Sequence, residues 1–269
     1  MKLGLFGSPV SHSRSPRLFA RLGRLIKKPI SYEAVAVPPG ALAAAVAVAR
    51  DAGWRGANVT VPLKQEAAAL ASTLTPAAKA LGAVNVLRFG RTVVGHNTDA
   101  EGLRDALRRF GVKPRGKDVL VFGAGGAARA AGWALARDGA RSIRFSARTQ
   151  ERAKRTAKDL SRHFPRTKFS SGTAISARIW INATPLGMKG FPDRTPAARH
   201  LASPETAVDL VYGRRTAFQT DAARRGANVS DGAAMLVFQA LRAWEYWDKP
   251  LGAARRAALA EKLLEEVLT

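Results

Sequence analysis

Near the middle of the chain stands the stretch Asp118-Val119-Leu120-Val121-Phe122-Gly123-Ala124-Gly125-Gly126-Ala127-Ala128-Arg129, in which an apolar run leads through glycines into an alanine-rich segment. This order of strand, glycine turn and helix is the context that a dinucleotide-binding fingerprint requires. Gly123 and Gly125 would allow a tight turn and close approach of the backbone to a pyrophosphate, and Ala128 takes the third small position. Such turns also occur without a ligand, so the motif alone predicts a strand–helix turn and leaves the ligand open.

The segment that follows the next short strand bears on the choice of cofactor. About 22 residues past the third small position the chain reads Ser146-Ala147-Arg148-Thr149-Gln150-Glu151-Arg152, and no acid ends the strand where an NAD site would place one. Arg148 and Arg152, with the hydroxyl of Thr149, suit a 2′-phosphate, because a guanidinium binds a phosphate through two charge-assisted hydrogen bonds. The sequence therefore predicts NADP rather than NAD.

The amino-acid composition excludes several kinds of functional site and limits the kinds of partner that the protein could have. The 269 residues contain no cysteine, which removes disulfides and thiolate nucleophiles, and the four histidines are too scattered to predict a metal site. The chain starts with too short an apolar run for a signal peptide and has no stretch long enough to span a bilayer, so we expect a cytoplasmic protein without a membrane partner. The net charge of +24 raises nucleic acid as a partner. The basic residues are nevertheless spread over the whole chain, which favours attraction of small anions over specific nucleic-acid binding.

Strand-like and helix-like runs alternate from the first residue, which predicts an α/β protein with parallel sheets covered by helices. The glycine turn is too far along the chain to open its only domain, so a domain is expected in front of it. The stretch from Thr98 to Arg109 is the candidate boundary, since no low-complexity linker is present.

One lysine stands where a helix does not favour it. In Asn58-Val59-Thr60-Val61-Pro62-Leu63-Lys64 a strand ends, and Pro62 is expected to begin a helix at its favoured first position. Lys64 then falls in the first helical turn, where the helix dipole favours acids. Solvent exposure would explain it. The alternative is an ammonium that exchanges a proton with a substrate oxygen.

Asp99 is a candidate partner for that lysine. It stands in Thr98-Asp99-Ala100-Glu101, whose Thr98 and Glu101 also have the spacing of a capping box, so an ordinary acid of a first turn is an equal interpretation. Closer to the N-terminus, Ser15 precedes Pro16 in an arrangement typical of an N-cap. The hydroxyls of Ser13 and Ser15 and the amides of a helix start would together suit a carboxylate.

Six ordered motifs extend over the chain: Ser13-Arg14-Ser15-Pro16, Asn58 to Lys64, Gly82-Ala83-Val84-Asn85, Asn97-Thr98-Asp99, Asn182 to Met188, and Asp231-Gly232 through Gln239. In these motifs the chain resembles the shikimate dehydrogenases, NADP-linked enzymes of aromatic amino-acid biosynthesis, over essentially its whole length. The resemblance implies an N-terminal α/β substrate domain, residues 1–98, and a Rossmann-type doubly wound NADP-binding domain, residues 99–231. C-terminal helices, residues 232–269, would return to the substrate domain.

The resemblance also implies roles for individual residues. Lys64 would be the catalytic acid–base group, assisted by Asp99. The residues implied to bind the substrate are Ser13, Ser15, Thr60, Asn85, Tyr212 and Gln239. Those implied to bind NADP are Gly123, Ala124, Gly125, Gly126, Ala127, Arg148, Thr149, Thr184 and Gly232, with Leu210 where the family sometimes has a Met near the nicotinamide. Ala147 departs from the family, which commonly has Asn before the arginine that binds the 2′-phosphate.

Two alternatives remain at the level of sequence. A relative that accepts quinate, or NAD, would carry much the same motifs. The other alternative, a noncatalytic basic protein that binds nucleic acid, is suggested only by the net charge. We expect a monomer or a homodimer that acts on a small molecule.

Overall fold

The computed structural model describes residues 1–173, 176–197 and 202–268. It divides into two compact units: unit 1 comprises Met1–Gly102 and Val237–Thr269, and unit 2 comprises Leu103–Leu236. No helix of the described residues is long and apolar enough to cross a membrane.

Unit 1 is built on a six-stranded sheet in the order β2-β1-β3-β5-β6-β4. Its elements, in chain order, are β1 (Lys2–Gly7), α1 (Ser15–Ile26), β2 (Ser31–Ala36), α2 (Leu42–Asp51), β3 (Gly56–Val59), α3 (Lys64–Leu70), β4 (Thr73–Leu74), α4 (Pro76–Leu81), β5 (Val86–Phe89), β6 (Val93–His96) and α5 (Asp99–Arg109).

The expectation of parallel sheets is wrong for part of this sheet. β1 pairs in parallel with β2 and β3, and β4 with β6, but β5 runs antiparallel to both β3 and β6. Only residues 90–92 join β5 to β6, and a connection of that length can only reverse the chain. The sequence analysis did not identify the short strand β6, which has only two apolar side chains, Val93 and Val94.

Unit 2 contains the second sheet, whose six strands are all parallel. Its elements are β7 (Asp118–Phe122), α6 (Gly126–Arg137), β8 (Ser142–Ser146), α7 (Gln150–Ser161), β9 (Lys168–Ser171), β10 (Ile179–Asn182), β11 (Thr206–Asp209), α8 (Ala217–Arg224) and β12 (Asn228–Ser230). The strand order β12-β11-β10-β7-β8-β9 is that of the doubly wound dinucleotide fold, which confirms the predicted class.

The order of these strands determines where a ligand can bind in unit 2. Connections leave β7 toward β8 on one side and later cross to β10 on the other, so the loops after β7 and β10 diverge and leave a crevice. The glycine turn lies at this topological switch point, at the carboxyl end of β7.

The chain returns to unit 1 through α9 (Ala233–Trp247) and α10 (Ala253–Leu268). The boundaries between the units fall inside α5 and α9, a few residues later than expected from the sequence. Packing explains the first difference: a Cβ built on Gly102 would lie 2.5 Å from the backbone nitrogen of Gln239, so the first turn of α5 is packed closely against α9. Asp99 therefore belongs to unit 1.

The core of unit 2 allows a test of its packing. Phe145 on β8 is fully buried and stacks on Phe169 at a centroid distance of 6.4 Å, whereas Phe191 is 50% exposed. We expect Phe145→Ala to lower the free energy of unfolding by about 3–5 kcal/mol, because it leaves a cavity in a close-packed core. The matched variant Phe191→Ala should change it by less than about 0.5 kcal/mol. Urea denaturation measures both, and equal losses in the two variants would contradict this description of the core.

Candidate active site

The glycine turn in unit 2 has a geometry that only glycine meets at its first position. Gly123 has a φ of +109°, and a Cβ at this residue would lie 2.8 Å from the carbonyl oxygen of Ala183. A Cβ on Gly125 or Gly126 would meet nothing within 4 Å. Helix α6 begins at Gly126, and its N-cap Gly125 has no side chain that could occupy the first amides. The turn therefore presents free helix N–H groups to open space, as an anion site requires.

A cavity of about 510 Å³ lies at this turn. Three loops of unit 2 line it: the glycine turn after β7, the segment after β8, and the segment after β10. Of the predicted cofactor residues, the lining includes Gly123, Ala124, Gly125, Arg148, Thr149, Arg152 and Thr184.

Four other predicted cofactor residues are absent from the lining of this cavity. Gly126 and Ala127 form the start of α6, directly after the glycine turn. Leu210 and Gly232 instead contact each other, since a Cβ on Gly232 would lie 2.2 Å from the carbonyl oxygen of Leu210. Tyr212, predicted to bind substrate, is a half-buried residue of unit 2 that follows β11 and is also absent from the lining.

A buried polar network holds Thr184 in place. The Oδ1 of Asn182, at the end of β10, accepts hydrogen bonds from the backbone N–H of Thr184 at 3.1 Å and from its hydroxyl at 2.7 Å. The amide nitrogen of Asn182 donates to Asp209 at 2.9 Å. Asp209 also accepts from the Thr216 hydroxyl at 2.5 Å and from the Val211 N–H at 3.0 Å. Burial raises the pKa of Asp209, and these hydrogen bonds partly counter the effect.

In unit 1, the structure brings Lys64 and Asp99 into contact. The Nζ of Lys64 lies 2.5 Å from the Oδ2 of Asp99, and both side chains are mostly buried. The Oδ1 of Asp99 accepts a hydrogen bond from the amide of Asn85 at 2.7 Å. Asn85 is itself fixed, because its Oδ1 accepts the backbone N–H of Thr98 at 2.8 Å. The carboxylate is thus oriented on both oxygens.

The local structure around these residues corrects two expectations. Pro62 does not begin the helix: the N–H of Leu63 bonds to the carbonyl of Thr60 at 2.9 Å in a separate turn, and α3 begins at Lys64. At the start of α5, Asn97 accepts the N–H of Asp99 at 3.0 Å, while the Thr98 hydroxyl donates to the carbonyl of Gln239 at 3.1 Å. The interpretation of Thr98 as part of a capping box is therefore wrong, and its contact places the backbone of Gln239 beside the Asn85–Asp99 pair.

The serines near the N-terminus also differ from expectation. Ser15 is the first residue of α1 rather than its N-cap, which is Arg14. The hydroxyl of Ser13 accepts the N–H of Ser15 at 3.2 Å. Thr60 follows β3 directly and is half-buried, with no hydrogen bond from its hydroxyl to another described residue.

Sequence reasoning missed two residues that connect these groups. The hydroxyl of Tyr32 donates to the Oδ1 of Asn58 at 2.7 Å, and the amide of Asn58 donates to the carbonyl of Asn85 at 3.1 Å. Hydrogen bonds therefore run from Tyr32 through Asn58 and Asn85 to the Lys64–Asp99 pair. Burial raises the pKa of Tyr32 well above its usual range, so its phenol is a neutral donor.

A common signal marks three polar residues that support these groups and to which the sequence analysis gave no role. Asn58, Asn182 and Asp209 each stand as a polar residue at, or one residue before, the carboxyl end of a buried strand. In an α/β sheet this edge is where ligands and their supporting polar groups gather.

Comparison with known proteins agrees with this geometry. Residues 5–87 match the model of the shikimate dehydrogenase substrate binding domain. The chain is 38% identical over 262 residues to the shikimate dehydrogenase (NADP(+)) of Methanothrix thermoacetophila, covering 95% of this chain and 96% of the relative. It is 40% identical over 277 residues to that of Rubrobacter xylanophilus, covering 96% and 95%.

A solved structure gives the same result for the fold. The shikimate 5-dehydrogenase of Thermus thermophilus, crystallised with NADP(H) and shikimate, aligns with a TM-score of 0.84 at 33% identity and covers 98% of this chain and 99% of its own. Identity at this level over nearly the full length shows descent as well as shape. The chain belongs to the shikimate dehydrogenase family.

Proposed function

We propose that this protein catalyses the reversible, NADPH-dependent reduction of 3-dehydroshikimate to shikimate in aromatic amino-acid biosynthesis. The observation that carries the proposal is the contact between Lys64 and Asp99, in a chain that belongs to this family. An ammonium held against a carboxylate, beside further polar side chains, is a group that can pass a proton to a substrate oxygen.

The residues of the cavity in unit 2 fit a dinucleotide. The free amides of the glycine turn suit the pyrophosphate, and the positive φ of Gly123 allows the backbone to approach it. Arg148, Thr149 and Arg152 would bind the 2′-phosphate, and Thr184 would stand toward the nicotinamide end. Leu210 and Gly232 remain proposed neighbours of the nicotinamide from the family resemblance. When bound, NADPH supplies the hydride.

Lys64 would donate its proton to the ketone oxygen as that oxygen becomes a hydroxyl, and would take the proton back in the reverse direction. Asp99 orients the ammonium through the 2.5 Å contact. The hydrogen bond from Asn85 to the second oxygen of Asp99 prevents the carboxylate from turning away. Side chains that are positioned in advance in this way reduce the reorganisation that the reaction requires.

The remaining substrate contacts are proposed from the family resemblance. Shikimate carries one carboxylate, which Ser13, Ser15 and Tyr212 would bind, and hydroxyls, which Thr60, Asn85, Asp99 and Gln239 would bind. The hydroxyl of Thr60, which bonds to no other described residue, is available for such a contact. The net charge of +24 would attract both anionic ligands. We propose a cytoplasmic protein, monomeric or homodimeric.

The role of Lys64 is tested by removing its ammonium. Lys64→Ala should lower kcat for shikimate oxidation about a hundredfold or more, because general acid–base groups contribute on that scale. Lys79→Ala is the matched control, since Lys79 is an exposed lysine of the same unit, and it should leave kcat unchanged. Initial rates of NADPH formation measure both. A Lys64→Ala enzyme with near-normal kcat would exclude the acid–base role.

The assignment of the 2′-phosphate site is tested by comparing two cofactors. Arg148→Ala should raise the KM for NADP⁺ about ten- to a hundredfold and leave that for NAD⁺ nearly unchanged, since only NADP⁺ carries the phosphate. Arg155→Ala removes an exposed arginine of α7 outside the cavity lining and serves as the control. An equal rise in KM for both cofactors would show that Arg148 does not bind the 2′-phosphate.

A further inference from the structure

The cavity in unit 2 has a third wall that the proposed function uses only at Thr184. This wall is the segment 183–197 after β10, which we call the β10 loop, and its lining residues include Phe191, Pro192, Arg194 and Pro196. It lies at the carboxyl end of a strand adjacent to β7, on the side of the glycine turn away from β8. A ligand held at the glycine turn therefore has Arg148 and Arg152 on one side and the β10 loop on the other.

The β10 loop is anchored on both sides of Arg194. Asp193 accepts the backbone N–H of Ala217 at 2.9 Å and the guanidinium of Arg214 at 2.7 Å. Thr195 donates its hydroxyl to Asp221 at 3.3 Å and accepts the N–H of Ala197 at 3.1 Å. The hydrogen bonds of its two neighbours therefore hold the backbone of Arg194 in place. Its side chain lines the cavity.

The charge of the cavity lining is unbalanced. Arg148, Arg152 and Arg194 all line it, and none of the three makes a hydrogen bond or ion pair with another described residue. Within the part of the chain that the structure describes, the lining contains no Asp or Glu. Arg214 shows the contrast, because it comes close to the β10 loop and is neutralised by Asp193. Three guanidinium groups around one cavity repel one another until an anion binds.

The chemistry of the wall indicates the kind of anion. A guanidinium presents a fork of N–H donors that matches the oxygens of a phosphate. The neighbouring Phe191 and Pro192 are apolar and exposed, which suits the flat base of a nucleotide. We propose that Arg194 binds a phosphate group of the dinucleotide, as a third cation beside Arg148 and Arg152. This inference rests on the proposed NADP site and adds to it a binding residue from the β10 loop.

The experiment is a direct titration of the purified full-length protein with NADP⁺ and with NAD⁺ by isothermal calorimetry, which needs no turnover. Arg194→Ala should weaken NADP⁺ binding about tenfold, the scale of a charge-assisted contact at an exposed site. Lys189→Ala is the matched control: it removes one positive charge from the same loop, at an exposed residue outside the lining, and should stay within about twofold of the unmodified protein.

The two cofactors identify the phosphate that Arg194 contacts. A loss confined to NADP⁺ assigns the contact to the 2′-phosphate, and an equal loss with NAD⁺ assigns it to the pyrophosphate; either result supports the proposal. Affinities of Arg194→Ala that match those of Lys189→Ala would overturn it. Because Arg194 is exposed and forms no hydrogen bond or ion pair with another described residue, the variant should retain the melting temperature of the unmodified protein.

The same titration separates this inference from the proposed function. An unmodified protein that does not bind NADP⁺ would overturn both. Turnover with shikimate and NADP⁺, together with unchanged affinity in Arg194→Ala, would overturn the role of Arg194 alone. Binding of NADP⁺ that weakens in Arg194→Ala, without any turnover of shikimate, would overturn the proposed activity and support the contact.

Discussion

The close approach of two backbones at the carboxyl edge of the parallel sheet determines the form of the candidate cofactor site. Gly123 lies so near the carbonyl of Ala183 that any Cβ would collide with it, and its positive φ turns the chain away from β7 toward α6. The two loops can therefore lie side by side at the point where the strand order reverses. The open amides of α6 and the wall formed by the β10 loop both depend on this contact.

Buried polar side chains at strand ends stabilise both candidate binding regions. In unit 1, Asn58 and Asn85 connect Tyr32 to the Asp99 carboxylate. In unit 2, Asn182 and Asp209 hold Thr184. An amide side chain both donates and accepts, so it can satisfy two neighbours at once, and a fully satisfied network in a low-dielectric interior holds each member in one orientation. This preorganisation is what a site for proton and hydride transfer requires.

The cations of this strongly basic protein differ in whether an acid lies beside them. Several partly buried cations have an acid beside them, as Lys64 has Asp99 and Arg129 has Asp159. The arginines that line the cavity of unit 2 have none among the described residues. Positive charge on the rest of the surface is screened beyond about 8 Å at physiological salt, whereas a cluster around one cavity acts directly on the anion inside it. The distribution of ion pairs therefore says more about the ligand than the net charge does.

Features that depend on neighbouring residues could be predicted from the amino-acid order alone. Apolar runs, the glycine turn and the arginine after β8 predict the doubly wound unit and its phosphate-binding groups, because each of these patterns lies within one strand–turn–helix segment. Lys64 and Asp99 were candidate partners at that level, but 35 residues separate them along the chain, and packing was needed to bring them together. The antiparallel strand β5, the use of Thr98 outside a capping box and the position of Arg194 on the cavity likewise depend on contacts between distant segments. A local sequence pattern predicts which helix, strand or turn a residue belongs to. The partner of its side chain depends instead on how separate elements pack.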